Sequence, residues 1–256
     1  MVSRLRVWSC RTSVIVRCAV WLIVLGPRAS AAQETPSPDD QNRFTVTLAH
    51  PIAGPLSGAG YFAVYDEIDR NITSWRLSTP SVTYKMSSWF APVAGIVYIW
   101  NDGEGNDNSR ELRPYAGVRV SVPNQVGLHL YNLTRVEWRR ITDTSTDTVQ
   151  RTQRLRSRFS VEFPLSTRAW EPHTYFGSAD VEPFVDLDGD FVETLRFSAS
   201  LGYIVRQSLR LEVGYTGQSE RVASGDPLAF NGNFLVFNVR FSLRHGLLEE
   251  LVGSAD

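Results

Sequence analysis

The chain has 256 residues, a formal net charge of −1 and two cysteines, and this size suits one sizeable domain. Cys10 and Cys18 both lie in an N-terminal segment that we expect to be removed, which excludes disulfides, thiolate metal sites and cysteine nucleophiles. Loss of that segment also removes five arginines and no acid, so the mature protein is mildly acidic and has no electrostatic case for binding nucleic acid.

Residues 1–32 are typical of a secretory signal peptide. Scattered basic residues precede an apolar run at residues 18–26, and small residues follow at 29–32. The run is roughly half the length of about 20 residues that a membrane-spanning helix needs. We therefore expect cleavage after Ala31 or Ala32 and export of the mature protein. Residues 33–43 are polar and contain two prolines, which predicts a flexible lead-in.

From residue 44 to residue 243, apolar and polar side chains alternate with the period of two that marks a β-strand. The alternation is loose in the first part of this region, over residues 59–69, 73–86 and 89–100. It is clear afterwards, over residues 113–122, 126–137, 154–163, 179–187, 191–206, 209–216 and 235–243. The pattern predicts an all-β domain.

The predicted connections alternate between short and long. Tight turns fall at residues 86–89, 122–125 and 206–208, and longer polar loops fall between them, at residues 101–110, 142–150 and 218–231. Bacterial outer-membrane barrels have this layout, with turns in the periplasm and loops outside. The connection at residues 165–173 is an exception, because it is long and lies on the side of the turns.

Strand length and aromatic placement favour a membrane barrel. Several runs reach about 11 to 15 residues, beyond the usual five or six and sufficient for the about 9 to 11 residues of a tilted crossing. Trp75, Trp89, Trp100, Trp138 and Tyr175 lie near predicted strand ends, where aromatic rings settle at the lipid headgroups.

We therefore expect a single antiparallel transmembrane β-barrel of about 10–12 strands over residues 44–243, with a tail at residues 244–256. Counting from residue 58 gives about ten strands, and residues 44–50 are either an extra strand or part of the lead-in. A soluble secreted β-barrel or sandwich that binds a small ligand stays open as an alternative, because a sandwich also has one apolar and one polar face.

Short motifs in the predicted strands resemble an uncharacterised family of bacterial outer-membrane β-barrel proteins. They are Trp75-Arg76-Leu77, Arg113-Pro114-Tyr115-Ala116-Gly117, Ser200-Leu201-Gly202-Tyr203, Leu209-Arg210-Leu211-Glu212-Val213-Gly214-Tyr215 and Phe237-Asn238-Val239-Arg240-Phe241. The likeness covers roughly residues 44–243 and implies an outer-membrane barrel, without an activity to transfer. The last strand also resembles the C-terminal recognition strand of outer-membrane proteins.

We predict no metal site and no cofactor. Residues 186–190 resemble the start of a calcium loop, but the distant bidentate glutamate is missing, so a hairpin turn is favoured. The histidines His50, His129, His173 and His245 have no zinc-ligand spacing.

The polar faces of the predicted strands carry both signs of charge, which would meet across a narrow lumen and pair there. This predicts a structural salt-bridge network, and a small polar pore or an arginine-rimmed ligand cleft is the functional alternative. The lumen candidates are Arg113, Arg119, His129, Arg135, Glu137, Arg156, Arg158, Glu162, Asp180, Glu182, Arg196, Arg210, Glu212 and Arg240.

We expect a non-enzymatic, porin-like barrel with a structural role or narrow passage of small solutes, and no catalytic residues. The expected partners are outer-membrane lipid and, during biogenesis, the barrel-assembly machinery. The oligomeric state is open. A barrel enzyme that acts on lipid is an alternative, since His129 could serve as a base beside Tyr131 and Glu137; it requires a hydroxyl nucleophile and a carboxylate within hydrogen-bond reach.

Overall fold

The computed structural model describes residues 39–67, 72–103, 108–124, 127–166, 170–188, 191–221 and 226–243. The predicted signal peptide, residues 33–38 of the predicted lead-in and the tail at 244–256 lie outside this set. Eleven strands are formed: β1 (Asp39–Ala53), β2 (Leu56–Glu67), β3 (Ile72–Tyr84), β4 (Phe90–Asp102), β5 (Ser109–Val122), β6 (His129–Asp143), β7 (Val149–Pro164), β8 (Thr174–Asp186), β9 (Phe191–Arg206), β10 (Leu209–Glu220) and β11 (Ala229–Ser242). In the described ranges, no helix combines the length and the apolar character needed to span a membrane.

The strands close into one barrel in chain order, which confirms the predicted fold. Each strand pairs antiparallel with the next, but β1 pairs with β11 in parallel, with Phe44 opposite Phe237. The prediction of a purely antiparallel sheet is therefore wrong at this one seam. An odd number of strands that alternate in direction brings the first and last strands together pointing the same way, so one parallel pair is unavoidable.

Strand β1 begins at Asp39, five residues before the predicted start of the barrel. Residues 39–43 pair with β11, and residues 41–43 also pair with β2. The prediction of a flexible lead-in is therefore wrong for residues 39–43: their backbone groups find partners, and the Arg43 side chain is buried inside the barrel at 7% exposure. Residues 44–50 form the middle of this strand.

The two ends of the barrel differ as predicted. One end, which we name the turn end, carries the connections at residues 54–55, 85–89, 123–128 and 207–208, together with the longer one at 165–173. The first of these turns uses Gly54 at a φ of +53°, a left-handed conformation that favours glycine. The opposite end, the loop end, includes residues 144–148 and 221–228. Strand β1 starts at the loop end, and β11 finishes at the turn end.

Large apolar side chains cover the outer face of the barrel. Phe159 is 54% exposed, Phe197 53% and Leu201 48%, whereas charged side chains such as Arg156, Arg210 and Glu137 point inward and are buried. Trp89 and Tyr175 are exposed at the turn end, and Trp138 is exposed toward the loop end. This arrangement inverts that of a soluble β-protein and matches a membrane barrel with aromatic girdles.

Strands β2 and β4 carry apolar side chains on both faces. Inside the barrel, Tyr61, Tyr65, Val93, Val97 and Ile99 belong to one buried cluster. On the outside, the rings of Trp75 and Trp100 stack with centroids 6.4 Å apart. This explains why the alternation in the sequence is loose over these strands. One side of the lumen is thus filled by an apolar and aromatic core.

Candidate functional site in the lumen

The other side of the lumen holds a network of ion pairs, centred on Glu137 of β6. Its side chain is fully buried. Guanidinium nitrogens of three arginines lie close to its carboxylate oxygens, at 2.9 Å for Arg135, 2.7 Å for Arg154 and 3.0 Å for Arg156. A nitrogen of Arg113 lies 3.8 Å away. The register between β6 and β7 sets Glu137 opposite Arg154 and Arg135 opposite Arg156, which brings these groups together. Four guanidinium groups therefore surround one carboxylate.

Two further carboxylates extend this cluster. Glu111 accepts hydrogen bonds from Arg113 at 2.9 Å and from Arg139 at 2.6 Å. Glu182 of β8 accepts two hydrogen bonds from one nitrogen of Arg156, at 2.9 and 2.8 Å. Because Arg113 reaches Glu137 and Arg156 bonds to both Glu137 and Glu182, the network crosses the four adjacent strands β5 to β8. Its charges compensate one another in a buried site.

A second ionic cluster lies toward the turn end, around Glu162 of β7. An Arg240 nitrogen lies 3.5 Å from its carboxylate and an Arg210 nitrogen 3.9 Å away. His129 Nδ1 lies 3.5 Å from the same group. Arg240 also reaches Glu212 at 3.1 Å. Strands β6, β7, β10 and β11 thus meet through charged side chains across the interior.

Trp170, from the long connection between β7 and β8, folds over this second cluster. Its indole nitrogen donates a hydrogen bond of 2.8 Å to the carbonyl of Gly127. Its ring stacks on His129 with centroids 3.9 Å apart, and the Arg210 guanidinium lies 5.4 Å from the ring centroid. The backbone of Trp170 has a φ of +58°, which is uncommon for a residue with a Cβ. This one side chain covers part of the turn-end mouth.

His129 lies on the inner face, as predicted, but the lipid-enzyme alternative needs a hydroxyl beside it. Among the described residues, no serine or threonine hydroxyl is within hydrogen-bond distance of its ring, whose neighbours are Glu162 and Trp170. In the part of the chain that the structure describes, His129 therefore contacts a carboxylate and an indole.

Toward the loop end, arginines and aromatic rings alternate across the lumen. The Arg76 guanidinium lies 4.0 Å from the centroid of Tyr65, and Arg43 lies 4.6 Å from the same ring. Arg43 also lies 3.4 Å from the centroid of Phe234, and Arg196 lies 6.0 Å from that ring on β11. We name these five residues the arginine–aromatic ladder. Cation–π contact favours each arginine at a ring, but it leaves the positive charges close together.

A cavity of about 80 Å³ lies between the ladder and the ionic clusters. A water molecule needs about 10–15 Å³ on this measure, so the cavity holds several waters or one small solute. Six arginines and four carboxylates line it, alongside serine and threonine hydroxyls: Arg43, Arg76, Arg156, Arg158, Arg196 and Arg240, with Glu162, Asp180, Glu182 and Glu212.

The structure places all fourteen lumen candidates on the inner face. Most belong to the two ionic clusters; of the others, Arg119 packs on the Tyr131 ring at 4.7 Å. Arg158 lies 3.5 Å from Glu182, and Asp180 accepts a hydrogen bond from Ser160. The predicted network therefore exists as a set of contacts.

Several lumen residues were not among the sequence candidates. Glu111 lies two residues from Arg113, and Arg139 lies two residues from Glu137, so each shares the inner face of its strand with a candidate. The alternation itself is therefore a signal that could have found them. Arg43 was assigned to the lead-in, and Arg76 lies in a loosely alternating strand. No sequence pattern places Trp170 in the mouth of the barrel.

Comparison with known proteins supports this architecture. A solved structure described as "NanC porin structure in rhombohedral crystal form" matches with a TM-score of 0.50 and 11% sequence identity, covering 81% of this chain and 100% of that one. At this identity the likeness concerns the fold. No curated protein matches the sequence. Residues 62–229 match the family described as "Protein of unknown function (DUF2490)". Because this match spans more than half of the chain, the protein belongs to the DUF2490 family.

Proposed function

We propose that the protein is a non-enzymatic barrel of the bacterial outer membrane that holds a filled lumen and passes only small solutes. The porin-like fold and the apolar outer face support a place in a membrane. The signal-like N-terminal sequence supports export through a cleaved signal peptide, and export together with a β-barrel fold points to the outer membrane.

The observation that carries this proposal is the filling of the lumen. The apolar cluster around Tyr61, Val93 and Val97 fills one side, and Glu137 with its four arginines fills the other. Between them the cavity measures about 80 Å³, whereas the turn-end vestibule beside Arg119 and Tyr131 measures about 410 Å³. The narrow central part would set the size of a solute.

The surroundings of His129 support a non-enzymatic role, since its stacking on Trp170 favours a structural function for this side chain. The proposed partners are outer-membrane lipid on the apolar face and the barrel-assembly machinery, which would read the closing strand β11. The mildly acidic mature chain gives no reason to propose a nucleic-acid partner.

Two experiments test the proposal. Fractionation of the native host should recover the mature protein with the outer membrane, and recovery as a detergent-free monomer in the aqueous fraction would contradict a membrane barrel. Recording from the purified mature protein in planar bilayers should show small and infrequent current steps. A large and steady conductance would show that the lumen is open.

A further inference from the structure

The geometry points to a binding site for a small oxyanion in the central cavity, held by the guanidinium groups of Arg76 and Arg196 together with Arg43. The inference needs the barrel fold but not the passage of solutes, so it goes beyond the proposed function. The chemical class is a phosphate, sulfate or carboxylate group, with one negatively charged head small enough for a cavity of about 80 Å³.

Within the described ranges, Arg76 and Arg196 have no carboxylate partner. No carboxylate oxygen of the described residues lies within 4.0 Å of either guanidinium. Arg76 contacts the Tyr65 ring, and its Nε has no hydrogen-bond acceptor. Arg196 donates to the neutral Gln218 at 2.5 Å and otherwise contacts the rings of Phe184 and Phe234. Both arginines are half-buried, and positive charge that is partly withdrawn from water without a contacting counter-charge is costly, so a mobile anion is the expected compensation.

The four carboxylates of the same cavity are engaged by other groups. Glu182 forms an ion pair with Arg156. Glu162 and Glu212 both pair with Arg240, and Asp180 accepts a hydrogen bond from the Ser160 hydroxyl. No carboxylate is therefore left to pair with Arg76 or Arg196 at contact distance. Glu182 attracts Arg196 from farther away, but the like charges of Arg43, Arg76 and Arg156 repel it, and this repulsion adds to the attraction for an anion.

Hydroxyl groups complete the site. Ser178 and Ser200 share one hydrogen bond of 2.6 Å, and Ser198 and Thr216 share another of 2.8 Å, all four at the cavity wall. In each pair one hydroxyl proton is used and the other is left to donate. Guanidinium groups and hydroxyls are the donors that recognise phosphate and carboxylate oxygens.

The test measures anion binding to the folded mature protein in detergent, by titration calorimetry with inorganic phosphate, sulfate and acetate at constant ionic strength. Saturable binding of at least one of them is expected, and the preferred anion identifies the head group. Arg196→Gln and Arg76→Gln should each weaken this binding by about tenfold to a hundredfold, the value of one hydrogen bond to a charged group. Arg196→Lys keeps the charge and should retain more of the affinity than Arg196→Gln.

Arg140→Gln, an exposed position outside the cavity, is the matched control and should bind like the parent protein. Folding of each variant is checked by its heat-dependent migration in gel electrophoresis.

In anion-free buffer Arg196→Gln should unfold at a higher denaturant concentration than the parent protein, because it removes a positive charge that no carboxylate contacts. Absence of saturable binding to all three anions, or binding unchanged in both glutamine variants, would overturn the inference. Calorimetry measures anion binding and not conductance. Absence of binding would therefore overturn the anion site without contradicting the proposed passage of small solutes.

Discussion

The imidazole ring of His129 lies flat against the indole ring of Trp170, with centroids 3.9 Å apart and planes inclined by 9°. His129 opens strand β6, whereas Trp170 lies in the connection between β7 and β8. The contact therefore fixes a connecting segment to the barrel wall across the turn-end mouth. The hydrogen bond from Trp170 to the Gly127 carbonyl secures the same position from the neighbouring turn.

Removal of this cover should widen the turn-end mouth. We expect Trp170→Ala to increase the current through single molecules in planar bilayers, because the indole no longer covers Arg210 and the Glu162 cluster. Tyr175→Ala is the matched control, since Tyr175 lies at the same end but is exposed on the outer face. Equal currents for Trp170→Ala and the parent protein would show that the indole does not restrict the lumen.

Loss of the central carboxylate should destabilise the barrel strongly. Glu137→Gln leaves four arginines facing a neutral amide, and breaking a buried ion pair costs about 3–5 kcal/mol. The free energy of unfolding, measured with urea in lipid vesicles, should fall by about this amount, whereas the exposed turn variant Glu171→Gln should change little. A loss as small as that of Glu171→Gln would mean that the arginines have other compensation.

Gly202 of β9 faces the lumen beneath the Phe176 ring, and a Cβ placed there would collide with that ring. Gly202→Ala should therefore displace the ring and lower the free energy of unfolding by about 1–3 kcal/mol, the usual cost of overpacking. The double variant Gly202→Ala with Phe176→Ala removes the collision, so its loss should be smaller than the sum of the two single losses. Additive losses would show that the ring has room to move.

The lipid-facing assignment can be tested by charge at two depths. Phe197→Arg places a charge near the middle of β9 on the outer face and should cost about 2–4 kcal/mol, whereas Leu187→Arg, at the loop-end rim, should cost about 0–1 kcal/mol. Both positions are exposed apolar side chains. Unfolding in vesicles measures the two losses, and equal small losses would show that the surface near Phe197 does not contact lipid.

The sequence by itself determined which residues of most strands share a face. In β9 to β11, residues such as Phe197, Leu211 and Phe237 alternate with polar neighbours, and the period of two fixes their side of the sheet wherever one face is apolar and the other charged. The same alternation identified fourteen lumen candidates, and the structure places them inside the barrel. It was less clear in β2 to β4, since Val97 and Ile99 are apolar on the inner face and Ile96 and Trp100 are apolar or aromatic on the outer one.

Only the tertiary structure decided which charged groups meet. The alternation gives the face of a residue, but the register between strands selects its partners. Here the register gives Glu137 four arginines, while no carboxylate of the described residues lies within 4.0 Å of Arg76 or Arg196. Closure of the barrel also produced the parallel pairing of β1 with β11, and this pairing makes residues 39–43 part of β1. Both are long-range pairings, set by which strands become neighbours in space, and a pattern that is local along the chain contains no information about them.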